Sequence, residues 1–236
     1  MRVLIVSDIH ANRWALRAVA RNVGSVDHVL CAGDAVNYGP DPRAALDWLR
    51  ESGAVAVRGN NDHATAFGVD PRASPARQPL AVAVRDWTRG QLDAADLAWL
   101  SRLPVRLTWE IPGTRFAVVH ATPRDPLYDY RLQPDAAEAF VREVAAGVEA
   151  DVLVVGHTHR PLLRRCGNLQ IVNPGSVGQP LDGDPRAAYA VWEDGTITLG
   201  RAEYDQTAVL SALQQLPIDL PLREKLVSML RHARIG

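Results

Sequence analysis

The chain has 236 residues, of which 47% are hydrophobic and 22% charged, with a formal net charge of -1. That length holds one or two domains with a substantial core, and the composition is that of a globular protein rather than a disordered one. Near-neutrality gives no global field for nucleic acid or anionic membrane, and no apolar run reaches the roughly 18 residues of a membrane span.

Arg2–Ser7 is a β-branched apolar run ending in polar residues, as a buried strand does. Asn12–Val23 follows as a helix, with Trp14, Leu16, Val19 and Val23 near helical spacing and Asn12 as its cap. Val29–Ala32 reads as a second strand. Pro42–Arg50 is helical, opened by Asp41 as cap and Pro42 at the first position, and Ala54–Val57 is a third strand. This β-α-β-α-β rhythm predicts a layered α/β domain with a largely parallel sheet.

Residues 60–79, rich in Ala, Pro, Asp and Gly, read as a long connection of the functional or mobile kind. Helical patterning resumes over 80–102. Val105–Ile111 and Arg115–His120 form strands joined by a tight turn at Pro112-Gly113. Asp135–Ala150 is helical and Val152–Val155 extended. Strands follow at Leu169–Val172, Ala187–Trp192 and Thr196–Gly200, the last two linked by Asp194-Gly195. The tail reads as two helices broken at Pro217 and Pro221, amphipathic cover for the body. No repeat or composition break calls for a second domain. Residues 1–236 are expected to form one domain, with 205–236 a C-terminal helical extension packed on it.

Cys31 and Cys166 sit in apolar or strand-like contexts and cannot make a disulfide framework, which fits a reducing compartment. No leader precedes the first motif, whose Asp8 lies a few residues from Met1, so the expected location is cytoplasmic.

Five motifs follow predicted strands, where ligands bind in open α/β sheets. They are Asp8-Ile9-His10, Gly33-Asp34, Gly59-Asn60, His120 and Gly156-His157-Thr158-His159. Residues two apart in an extended segment face the same way, which sets Asp8 beside His10 and His157 beside His159. Glycines at 33, 59 and 156 let the backbone turn before each candidate ligand. Imidazoles, carboxylates and one amide, without thiolates, suit Mn, Fe, Zn or Co better than a purely structural zinc.

In this order the motifs resemble the calcineurin-like metallophosphoesterase superfamily, whose pattern is D-x-H, G-D, G-N-H, H and G-H-x-H. The stretches from Gly33 to Pro42, Val119 to Pro126 and Asn173 to Pro180 look like its compact bacterial branch of phosphodiesterases and diadenosine-tetraphosphatase-like proteins. The resemblance covers about residues 1–203.

It implies a four-layer α-β-β-α sandwich holding two divalent transition-metal ions (Mn, Fe, Zn, Ni or Co). Asp8, His10 and His159 would bind one ion, Asn60, His120 and His157 the other, and Asp34 would bridge them. A metal-bridging hydroxide would then hydrolyse a phosphodiester or phosphomonoester, small and of nucleotide-like origin, at a pair of ions about 3.5–4 Å apart. Within the resemblance a dinucleoside-polyphosphate hydrolase is the alternative. A non-catalytic metal-binding scaffold is the alternative of another class. A nuclease lacks the basic stripe it would need.

One departure stands out. The family places a histidine after the metal-binding Asn, where it protonates the leaving group; here Asn61 occupies that position, followed by Asp62 and His63. Two readings of His63 stand: it reaches round as the substitute acid, or it lies idle on the following loop. Asn12, Tyr38 and Arg124, on loops leaving the same edge, are the candidate substrate contacts, the arginine through its forked donors.

Overall fold

The computed structural model describes residues 1–235. Along the chain the elements are β1 (Arg2–Val6), α1 (Arg13–Val23), β2 (His28–Cys31), α2 (Pro42–Glu51), β3 (Val55–Ala56) and α3 (Asn60–Phe67). Next come α4 (Gln78–Gln91), α5 (Ala94–Arg102), β4 (Arg106–Ile111), β5 (Thr114–Val119), α6 (Glu138–Ala145) and β6 (Val152–Val154). The chain closes with β7 (Leu162–Cys166), β8 (Leu169–Asn173), β9 (Ala187–Glu193), β10 (Thr196–Ala202), α7 (Thr207–Gln214) and α8 (Leu220–His232).

The strands form two five-stranded sheets, ordered β10-β9-β1-β2-β3 and β4-β5-β6-β8-β7. Side-chain alternation along β1 shows how the layers arise. Val3 and Ile5 point between the sheets, onto Phe116, Val118, Val152, Val154 and Val172 of the second sheet. Leu4 and Val6 point the other way, onto Leu16 and Val19 of α1 and Leu46 and Leu49 of α2. In the second sheet Val119 and Leu153 face outward to Val141 and Val144 of α6. Helix, sheet, sheet and helix therefore stack in that order, the four-layer α-β-β-α arrangement expected.

The single largely parallel sheet does not appear. Each sheet keeps a parallel core, β1-β2-β3 in one and β5-β6-β8 in the other. Antiparallel strands flank both cores: β9 and β10 on the first, β4 and β7 on the second. Strand β7 has no counterpart in the sequence pattern, because its Leu-Leu-Arg-Arg-Cys run is that of a half-exposed edge strand.

The expected connection at 60–79 opens with a helix, α3. Gly59 is its cap, and the Asp62 carboxylate accepts from the Gly59 amide, a local bond that composition alone does not announce. The stretch 80–102 splits at Leu92, where Asp93 caps α5 and pairs reciprocally with the Asp96 amide. Over Asp135–Ala150 only Glu138–Ala145 is helical. Pro221 sits in the first turn of α8 rather than breaking it, since its missing N–H costs nothing there.

Leu213 and Val209 of α7 and Leu226, Met229 and Leu230 of α8 pack with Leu80 and Val84 of α4 and with Tyr38. Among the described residues no helix is long and apolar enough to cross a membrane.

Phe116 is fully buried between the sheets, its ring 5.3 Å from Trp109 and 5.6 Å from Trp192. Phe116→Ala is expected to cost about 3–5 kcal/mol of unfolding free energy, read from the urea midpoint at unchanged slope.

Candidate metal centre

Parallel strands all send their C-terminal ends toward one place, and five of the six carry a candidate ligand there. Asp8 and His10 follow β1, Asp34 follows β2, Asn60 opens α3 after β3, His120 follows β5, and His157 and His159 follow β6. Backbone bonds lace these exits together. The Asp8 amide donates to Gly33 O, the His10 amide to Asp34 O, and the Gly156 amide to His120 O, all within 3.0 Å. All seven residues are essentially buried, none above 3% exposed.

Five of them adopt left-handed backbone: Asp8, His10, Asp34, His157 and His159 have φ between 46° and 70°. Non-glycine residues take that conformation at a cost on the order of 1–3 kcal/mol, and such strain gathers at functional sites. Two glycines without positive φ matter for a different reason. A Cβ at Gly59 would strike the backbone and carboxylate of Asp34, and one at Gly156 would strike Ser7 Oγ and Asp8 Oδ2.

Three of the four imidazoles are fixed by a carbonyl, which can only accept, so their tautomers follow, while His157 Nε2 is buried without a partner. His10 Nδ1 donates to Val36 O (3.1 Å), His120 Nδ1 to Ala32 O (2.7 Å) and His159 Nδ1 to Gln179 O (2.5 Å). That turns the three Nε2 atoms inward. His10 Nε2 and His159 Nε2 lie 3.1 Å apart, with Asp8 Oδ1 at 3.7 and 3.3 Å from them. His120 Nε2 lies 3.4 Å from Asp34 Oδ2, 3.2 Å from Asn60 Oδ1 and 3.1 Å from His157 Nδ1. Asn60 is oriented by its own amide, which donates to Pro71 O at 3.0 Å and leaves Oδ1 facing in.

The carboxylates are pinned as well. Ser7 Oγ and the His157 amide donate to Asp8 Oδ2, while Asp8 Oδ1 is buried with no partner. Asp34 receives the Asn61 amide on Oδ1 (2.9 Å) and Asn61 Nδ2 on Oδ2 (2.5 Å). Facing lone pairs and an orphaned carboxylate oxygen fit cations, and the donor set is one that divalent transition metals accept. Two groups of donors lie within 4.8 Å of one another: Asp8, His10 and His159, and Asp8, Asp34 and His120.

Protonation follows from that crowding. Burial pushes Asp8 up to about 7, against the pull of His120. Burial also works on Asp34, but His120, His10 and Asn61 hold it well below the usual carboxylate range. Burial opposes charge on His120, yet Asp34 and Asp8 raise it to about 9. His10 falls to about 4, and His157 and His159 fall well below an ordinary imidazole, burial being the main cause.

The other candidates go elsewhere. Asn12 spends its amide on the fold: Nδ2 donates to Gly178 O and Tyr204 Oη, and Oδ1 caps α1 through the Ala15 amide. Arg124 turns outward to pair with Glu143 of α6 at 2.9 Å and is 70% exposed. Tyr38 stays at the centre, its ring edge-on to His10 at 5.1 Å. His63 packs its ring on Phe67 at 4.8 Å. Burial, and then the charges of Arg58 and Arg72, lower its imidazole from the ordinary value.

Three supporting residues escaped the sequence pattern. Asn61 holds Asp34, as above. Asp62 Oδ1 accepts from the Val36 amide and Oδ2 from Gly59, which clamps the loop after β2 onto α3. Tyr130 stacks on His157 with ring centroids 3.7 Å apart. A G-N-H pattern interrupted at its third position was the one hint that Asn61 had taken up another task.

Residues 1–195 match the model of the family described as the calcineurin-like phosphoesterase superfamily domain. The crystal structure of a metallophosphoesterase from Sphaerobacter thermophilus is 34% identical, with a TM-score of 0.79 over 99% of this chain and all of that one. The uncharacterized protein MJ0912 of Methanocaldococcus jannaschii is 31% identical over 225 residues, 86% of this chain and 88% of its own. Phosphodiesterase YfcE of Escherichia coli is 26% identical over 204 residues, 84% of this chain and 91% of its own.

Gly59→Ala is expected to displace Asp34 and destabilise the fold by about 1–3 kcal/mol, with a parallel loss of metal uptake measured by elemental analysis. Metal uptake should also release protons. Asp8 and His120 hold theirs up to about 7 and about 9, so affinity should rise with pH through that span and fall below it. Titration calorimetry in buffers of different ionisation enthalpy reads both.

Proposed function

The chain belongs to the calcineurin-like phosphoesterase superfamily and is a phosphoesterase; from that premise we propose that it hydrolyses small phosphodiesters or phosphomonoesters at two divalent transition-metal ions. The observation that carries the proposal is the meeting of His10 Nε2, His159 Nε2 and Asp8 Oδ1, buried together with no protein donor on the carboxylate oxygen. Asp8, His10 and His159 hold one ion, Asn60, His120 and His157 the other, and Asp34 spans both. What supports the bridging place of Asp34 is its reach to His120 as well as to His10. Bound there, the ions supply Lewis acidity, lowering the pKa of water and offsetting charge on the phosphoryl oxygens.

The chain's own residues keep that donor set in place before substrate arrives. Carbonyls of Ala32, Val36 and Gln179 aim the imidazoles, Pro71 aims the Asn60 amide, and Asn61 and Ser7 fix the carboxylates. Such outer partners tune affinity and activity by about 10–100-fold. Asn61 has no proton to give at neutral pH, and His63 is given no part in proton transfer. The leaving group then departs unassisted by a side-chain acid.

Residues 1–236 act in this proposal as one domain. Support comes from α7 and α8, whose apolar side chains share a cluster with Tyr38 beside His10. A reducing cytoplasm is the proposed location, consistent with two free thiols, buried Cys31 and half-buried Cys166.

With Mn, Ni, Zn, Fe and Co supplied in turn, wild type should turn over bis-p-nitrophenyl phosphate, p-nitrophenyl phosphate or a dinucleoside polyphosphate. Asp34→Asn should lose about 10²–10³-fold or more. Full metal loading with no turnover of any ester would instead support the scaffold. Because no acid assists departure, rates across a series of aryl and alkyl esters should fall steeply with leaving-group pKa. The missing contribution is about 10²–10⁴-fold, and His63→Ala should leave the pH–rate profile unchanged.

A further inference from the structure

Arg77 is 5% exposed, which is unusual for a guanidinium without a counter-ion. Among the described residues no carboxylate oxygen lies within 4.0 Å of it. Its contacts are neutral: Nε to Ser74 Oγ at 3.4 Å, and its guanidinium carbon 5.6 Å from the Tyr130 ring centroid. Tyr130 in turn lies flat on His157 at 3.7 Å. The charge of Arg77 also bears on His10, His159 and Tyr38. The segment that carries Arg77 already touches the centre at its other end, where Pro71 O holds the Asn60 amide.

A desolvated cation needs a partner, and removing water from one without supplying an anion is costly. Here the neighbouring groups are those that take up further cations, which repel Arg77. Only an anion seated between them satisfies both. A planar fork of donors matches phosphoryl oxygens in particular.

We propose that Arg77 binds the non-bridging oxygens of the substrate's phosphoryl group, steadied by Tyr130 over His157. The assignment rests on the hydrolytic reading above for the identity of the anion, but it is tested separately from turnover. Metal-loaded wild type, Arg77→Ala and Arg77→Lys are compared by titration calorimetry with inorganic phosphate, by metal content, by thermal melting and by kcat and KM on bis-p-nitrophenyl phosphate.

Arg77→Ala is expected to keep its metals and weaken phosphate binding about ten- to hundred-fold, with a similar loss in kcat/KM. Arg77→Lys, which keeps the charge but not the fork, should recover only part of both. Wild-type phosphate affinity in Arg77→Ala, or a loaded wild type that binds no phosphate, overturns the proposal. If Arg77→Ala does not fold, Arg77→Lys decides: phosphate affinity equal to wild type overturns it, and weakened affinity at full metal content upholds it. Arg77-dependent phosphate binding in a protein that hydrolyses nothing would uphold the anchor and sink the hydrolytic reading.

Discussion

Imidazole lone pairs aimed at one another across 3.1 Å, beside a carboxylate oxygen with no donor, are the arrangement on which the rest of the structure turns. No packing force favours it. Buried acceptors repel, and the left-handed turns at Asp8, His10, Asp34, His157 and His159 add strain. The fold holds them by surrounding each with a carbonyl or amide it cannot escape. A positive charge is the natural complement of such a cluster.

Architecture explains how seven side chains from distant parts of the sequence come so close. Each sheet contributes a parallel core whose strands end together, and the two sheets press those ends side by side through Phe116, Ile5 and their neighbours. Asp8, Asp34 and Asn60 come from one sheet and His120, His157 and His159 from the other. The centre is therefore also a joint between sheets, locked by the His157 amide on Asp8 and the Val177 amide on Ser7.

Much of this was legible in the sequence. The candidate ligands stood out because short spacings after apolar runs are local signals, and local signals survive without coordinates. The four-layer sandwich was implied by the resemblance those motifs carry, whereas the strand pattern alone pointed to a largely parallel sheet. What stayed hidden depends on tertiary proximity. Arg77 is one of many arginines until its surroundings are seen to lack a carboxylate. Tyr130 carries no motif, and Asn61 looked like a loss until its amide was found on Asp34. The misdirected residues are equally instructive. Asn12 was read both as helix cap and as substrate contact; its Oδ1 caps α1, and its Nδ2 is held by Gly178 O and Tyr204 Oη. Arg124 lay near a motif in sequence, but an available glutamate on α6 claimed it.

Strand β1 lies between β2 and β9, with Leu4 opposite Val191 and Ile5 opposite Ala190. A nascent chain growing at about 5–20 residues per second must therefore carry its first strand half-paired for roughly eight to thirty seconds before the missing neighbour emerges. The Asp8 loop is fastened by the Ser176 hydroxyl and by the Val177 and Gly178 amides, which also arrive late. The candidate centre is thus completed late in synthesis, when β9 closes on β1.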